Sequence, residues 1–241
     1  MNRGEIALLF EYPLIILIYL VPVMLVSFTV HEVAHAYCSY KLGDPTAKNM
    51  GRLTLNPLKH LDILGTIMLL LFGFGWAKPV PINPLYYDDR KRGTMLVSIA
   101  GPLSNILMAL VFSFPMAYFG FDFGIISAKE LFSVENIIFA ESFLPEIVVF
   151  NLSRFFYIIN INLAVFNILP VPPLDGSKIL AGILPSNQYF KLLQYERYIG
   201  ALFFILLFIY PNIIYKIMSP IIWLIELVIR SIAVPVVNLF I

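Results

Sequence analysis

One apolar run extends from Tyr12 to about Tyr40 and carries no charge before Glu32. As a helix its 29 residues would reach about 43 Å, more than the ~30 Å hydrocarbon layer of a bilayer. Pro22 is placed to kink it, and Lys41, Gly43 and Asp44-Pro45 mark its end. Residues 46–62 read as strand and turn, with Asn56-Pro57 as a breaker. The apolar stretch Ile63 to Trp76 is 14 residues, short for a crossing. After a proline-spaced extended stretch, Trp76-Ala77-Lys78-Pro79-Val80-Pro81-Ile82-Asn83-Pro84, a second full helix is predicted over Gly93 to Phe121, with Gly101-Pro102 inside it. A polar loop over 122–146 precedes a third full helix, Ile147 to Leu169, broken by Pro170, Pro172 and Pro173. Residues 174–198 are polar, and two apolar segments, about 199–218 and 220–241, finish the chain.

This pattern predicts an all-α polytopic membrane protein. It has about five to six transmembrane helices, a re-entrant segment and a small membrane-associated β-hairpin or sheet. One membrane-embedded domain covers 1–241, with a core at about 12–180 and C-terminal helices at about 199–241. Composition agrees. The 241 residues are 60% hydrophobic and 13% charged, against about 25% charged in soluble domains. The net charge of +1 gives no reason to expect nucleic acid, and a single cysteine, Cys38, excludes an internal disulfide.

Charge orients the layout. If 63–76 dips in and returns, eight basic residues over 41–92 and three over 174–198 share one face. That face holds 11 of the 16 Lys and Arg and is expected to be cytoplasmic. The 122–146 loop, with five acidic residues and one lysine, falls outside. A crossing at 63–76 would split the basic residues, so the re-entrant reading is preferred. The protein is then a multi-pass cell-membrane protein whose active site lies within the bilayer, nearer the cytoplasmic face.

The chemistry is concentrated in His31-Glu32-Val33-Ala34-His35. This is the HExxH zinc-protease signature, set where charge is expensive. On a helix His31 and His35 lie one turn apart on one face, and both can reach one metal ion. Glu32 points about 100° away, where it can act on a water without being a ligand. A catalytic zinc site needs a third protein ligand. Asp175, in Asn167-Ile168-Leu169-Pro170-Val171-Pro172-Pro173-Leu174-Asp175-Gly176, is one candidate. Gly176 is permissive there, although Asp-Gly is also common in plain turns. His60 is a second candidate and reads more simply as a surface or loop histidine. Cys38 shares the histidine face but lies about 10.5 Å along the helix from His31, a strained reach. It reads as a packed thiol.

The HEVAH motif and the later NxxPxPPLDG segment resemble the site-2 protease family of intramembrane zinc metalloproteases. The segment between them is similar to its compact prokaryotic branch, without a PDZ or CBS domain. Supporting stretches are GDPTAKNMGRLTLNPLKHLD, GFGWAKPVPINP and AGPLSN, so the likeness covers about 25–180. The resemblance implies that His31, His35 and Asp175 hold one Zn2+ per chain and that Glu32 is catalytic. It implies that Asn167 lies close to the metal, where its amide can donate to the developing oxyanion, although an asparagine there serves equally well for a helix–helix hydrogen bond. Asn160 and Asn105 fit helix packing better. The resemblance also implies an endopeptidase acting on single-span membrane proteins or membrane peptides such as remnant signal peptides. The competing classes are a zinc-binding transporter and a catalytically inactive scaffold. Transport needs ligands along a path, whereas Arg154 and Glu226 stand alone outside the one cluster.

Overall fold

The computed structural model of the chain describes residues 13–72, 75–122, 131–133 and 144–240. Eight α-helices lie among them. They are α1 (Pro13–Lys41), α2 (Thr46–Asn49), α3 (Ile63–Phe72), α4 (Arg90–Asp122), α5 (Pro145–Ile168), α6 (Asp175–Ile183), α7 (Ser186–Ile209) and α8 (Pro211–Val237). The helical, multi-span character is as expected, but the count of five to six spans is not reached among the described residues. Four stretches are long and apolar enough to cross a bilayer among the described residues: Leu17–Lys41, Arg90–Phe121, Pro145–Ile168 and Asn212–Val237. The expectation of five to six includes two further segments. One is α3, whose ten residues extend about 15 Å. The other is 199–218, and the chain breaks inside it at Tyr210-Pro211. Pro211 opens α8 because its missing N–H costs nothing in a first turn, and it keeps Tyr210 out of the helical conformation. The boundary expected between the two segments, near 219, falls inside α8, which carries Pro220.

The strand expected at 46–55 is not present. Thr46–Asn49 forms a helical turn, and Gly51, at φ +65°, closes it by donating to the Lys48 carbonyl. Among the described residues the strand-like pairing is a single antiparallel bridge, Leu61 to Ala77, and no sheet forms. That bridge is nevertheless informative. It ties together the two ends of the stretch that contains α3. The Lys78 N–H donates to the His60 carbonyl at 2.8 Å. A Cβ added to Gly65 would come within 2.2 Å of the Trp76 carbonyl, so glycine allows the returning strand to press on α3. The two ends of this stretch therefore lie side by side.

The chain divides into two compact units. The first comprises Met1–Ser27, Ile106–Asn162 and Pro220–Ile241. Tyr19 stacks on Phe155, Phe112 stacks on Phe156, and Asn160 donates to the Ser27 hydroxyl at 2.9 Å. This is the interhelical role read for Asn160. Arg154, 1% exposed, is not alone. Its guanidinium donates to the carbonyls of Leu131 and Ser133, and it interacts electrostatically with Glu226. Tyr157 adds a hydrogen bond to the Phe132 carbonyl at 3.0 Å. Irregular backbone inside an apolar unit needs such partners.

The second unit comprises Phe28–Asn105 and Leu163–Ser219 and contains every residue of the site described next. Its α1 portion ends in a network around Asp44, which is fully buried. The carboxylate accepts from the Ser39 hydroxyl, the Asn83 N–H and both the N–H and hydroxyl of Thr46. This fixes the end of α1 to the loop that follows the re-entrant segment.

Candidate metal centre

The end of α1 presents two faces. His31 and His35 lie on one, and both are buried. Their rings meet edge to face with centroids 4.7 Å apart. This pair packs on a stripe of α4 spaced at four residues: Val97, Gly101 and Asn105. The His35 Nδ1 hydrogen donates to the Val97 carbonyl at 2.7 Å. The His31 Nδ1 hydrogen donates to the Asn105 Oδ1 at 2.5 Å, and Asn105 is fully buried. Each bond places the ring proton on Nδ1 and leaves the Nε2 lone pair facing inward. Gly101 makes room between them. A Cβ there would lie 2.4 Å from His35 Nε2 and 2.6 Å from the His31 Cε1.

Asp175 arrives from the other end of the sequence. Leu169 through Leu174 make a tight, proline-rich turn after α5, and Asp175 begins α6. Gly176 sits where a Cβ would come within 2.0 Å of the Ile168 carbonyl and 2.3 Å of that of Leu169. Its role is therefore close backbone approach. Its φ is not positive, so conformational freedom is not the reason for glycine here. The Asp175 Oδ2 lies 3.2 Å from His31 Nε2 and 3.1 Å from His35 Nε2, and the two Nε2 atoms are 3.1 Å apart.

This triangle has the properties of a metal cradle. With both Nδ1 atoms committed as donors, its three corners are all lone-pair atoms, and buried lone pairs this close repel without a cation among them. Tetrahedral zinc, at about 2.0–2.1 Å from N and O ligands, sets its ligand atoms about 3.3–3.4 Å apart. The observed edges of 3.1–3.2 Å are close to that. Two imidazoles and one carboxylate are also a donor set of catalytic zinc, which leaves a fourth position open.

The remaining candidates separate cleanly. Glu32 lies on a different face of α1, and its Oε2 accepts the Val80 N–H at 2.8 Å. Asn167 spends its amide on the Leu163 carbonyl one turn back in α5, at 2.9 Å. His60 is neither a member of the trio nor a surface residue. It is 1% exposed, and its Nε2 hydrogen donates to the Thr54 carbonyl at 2.8 Å, bracing the loop. Cys38 is half-buried and free and is not part of the donor group. Sequence reasoning assigned Asn105 to packing and missed its bond to His31. The available signal was spacing, because 97, 101 and 105 repeat at the same four-residue interval as His31 and His35.

A membrane-helix core with two histidines from HExxH and a distant aspartate defines a metallopeptidase-type site. The model of peptidase family M50 matches residues 19–210, and the chain belongs to that family, the site-2 proteases. Three similar proteins share the name "Putative zinc metalloprotease". YwhC of Bacillus subtilis is 41% identical over 203 residues, 83% of this chain and 84% of that protein. MJ0611 of Methanocaldococcus jannaschii is 31% identical over 180 residues, 73% of this chain and 77% of that protein. Rip2 of Mycolicibacterium smegmatis is 26% identical over 196 residues, 78% of this chain and 65% of that protein. No solved structure matches the chain.

Proposed function

We infer that the protein is a zinc endopeptidase of the site-2 type that cleaves membrane-spanning segments of single-span proteins, or peptide remnants left in the bilayer. The observation that carries this reading is the buried triangle of His31 Nε2, His35 Nε2 and Asp175 Oδ2. A zinc ion held there supplies a water of lowered pKa and a Lewis acid for a peptide carbonyl. Glu32 takes a proton from the attacking water as that oxygen bonds to the scissile carbon. Glu32 then delivers the proton to the amine nitrogen as the C–N bond breaks. Asn167, released from Leu163, is the side chain of the later motif that can donate to the oxyanion. Val97 and Asn105 hold the imidazoles in the ligating tautomer throughout.

The site faces the cytoplasmic side on this reading. The closed return at Leu61–Ala77 keeps residues 41–92 together, and these carry eight of the 16 basic residues.

The test pairs zinc content with cleavage of single-span model substrates in reconstituted vesicles. Glu32→Gln should keep one zinc per chain and lose cleavage, and Asp175→Ala should lose both. Equal cleavage by wild type and both variants would overturn the reading. Zinc flux into the vesicles without cleavage would replace it with a transporter.

A further inference from the structure

Lys78-Pro79-Val80-Pro81 has an unusual backbone. Its two prolines carry no N–H. Lys78 has given its own N–H to His60 and accepts Arg52 Nη2 on its carbonyl at 2.7 Å. Val80 is therefore the one residue between Lys78 and Ile82 with an N–H to offer, and that N–H goes to Glu32 Oε2 at 2.8 Å. The Val80 side chain is buried in one cluster with Ala36 and Ala47. Glu32 and Ala36 are four residues apart, one turn of α1 on the same face. The valine thus docks on the helix face that carries the glutamate, while the histidines use the face toward α4. The segment is anchored on both sides of this contact, by Lys78 to His60 and by the Asn83 N–H to Asp44 at 2.7 Å.

We propose that the Val80 main-chain N–H is a positioning group for the reaction. It holds one oxygen of Glu32 and so aims the other at the water and the leaving nitrogen. The inference rests on the zinc-peptidase reading given above. The flanking prolines serve it by fixing φ on both sides and by removing rival donors from this segment, so the segment offers the carboxylate one main-chain N–H in one orientation. The same arrangement explains why a half-buried glutamate beside two histidines does not turn toward them as another ligand.

A main-chain donor is tested by replacing the Pro79–Val80 amide with an ester, which removes the N–H and keeps the side chain. Expected results are one zinc per chain, unchanged KM and a loss of about 10–100-fold in kcat, the scale of a misplaced catalytic group. An ester at the Pro81–Ile82 linkage should stay within about threefold of wild type. The decisive arm repeats the Val80 ester in a Glu32→Asp background, whose shorter carboxylate no longer reaches Val80. There the ester should add less than about twofold, because both changes remove the same contact. A merely structural role would instead give the same proportional loss in both backgrounds, and that result overturns the proposal. So does wild-type kcat in the ester, or loss of its zinc. If wild type cleaves and Glu32→Gln does not while the Val80 ester is fully active, only this inference falls. If wild type is inert, the protease reading falls with it.

Discussion

The two compact units both bury ionisable groups among apolar helices, and they satisfy them in opposite ways. In the first unit the two terminal nitrogens of the Arg154 guanidinium donate to main-chain carbonyls of Leu131 and Ser133, with Glu226 as an electrostatic partner. There donor meets acceptor. In the second unit the inward corners of His31, His35 and Asp175 are all lone pairs. Acceptor meets acceptor, an arrangement that a bound cation would complete. Buried polar groups are ordinarily matched. A mismatch built from three converging residues, two of them held by separate hydrogen bonds, therefore marks a candidate ligand site, whereas a matched buried charge marks structure.

The largest effect should come from filling the gap that lets the histidines converge. Gly101→Ala places a methyl group 2.4 Å from the His35 Nε2 and 2.5 Å from its Cε1. The rings must swing apart, and bound zinc should fall from one per chain to none, with cleavage lost. Helix content by circular dichroism should stay at the wild-type level. Retention of full zinc in this variant would mean that the triangle is not the metal site.

Arg154→Met tests the other half of the comparison. It strands two main-chain carbonyls in apolar surroundings and should destabilise the protein by about 3 kcal/mol, read as thermal unfolding in detergent. The fraction that stays folded should still bind one zinc. If zinc were lost in step with Arg154 while stability held, the separation of structural and functional charge would be wrong.

Asn105→Ala should have a smaller, more selective effect. His31 keeps its place on α1 but loses the acceptor that fixes its tautomer. Zinc affinity should fall by about 10–100-fold, the usual result of removing such a partner, with little change in unfolding temperature. Competition with a chelator of known affinity measures it. Asn105→Asp, which keeps the acceptor, should recover most of the loss.

How much of this was readable beforehand depends on whether a feature is written in side-chain type or in backbone geometry. HExxH and the LDG segment are both side-chain patterns. They named His31, His35 and Asp175 as a trio although 140 residues separate His35 from Asp175. The long apolar runs likewise announced the first three spans, whereas the fourth, Asn212–Val237, runs across the boundary expected near 219. Asn105 was visible but ambiguous, since a small-residue stripe with an asparagine also describes ordinary helix packing. Val80 was not visible, because its contribution is an N–H that every non-proline residue has. Only the prolines on either side hint that it matters. The expected strand at 46–55 failed on a local detail, the left-handed Gly51 that closes a helical turn. Pro211 and Pro220 could not be ranked as breakers without knowing which proline begins a helix.

Asp44 sharpens the contrast at the smallest scale, because it lies in the unit that holds the triangle yet is satisfied in the manner of Arg154. Burial pushes its carboxyl up. The Thr46 hydroxyl, the Asn83 and Thr46 N–H groups and the Ser39 hydroxyl outweigh that and leave it below the ordinary carboxylate value. A carboxyl lowered by folding stabilises the native state above its unfolded pKa, about 3.9. That contribution is lost as the pH falls through this value toward the lower folded one. Asp44→Asn turns one acceptor oxygen into a donor facing donors, and at pH 7 it should cost about 1 kcal/mol. The gap in unfolding temperature between wild type and variant should then close on acidification below about pH 4, because the wild type loses the charge the variant never had. A gap that stays constant from pH 7 to below that point would show that Asp44 acts through packing alone, and that the matched charges of this protein do not all work by one rule.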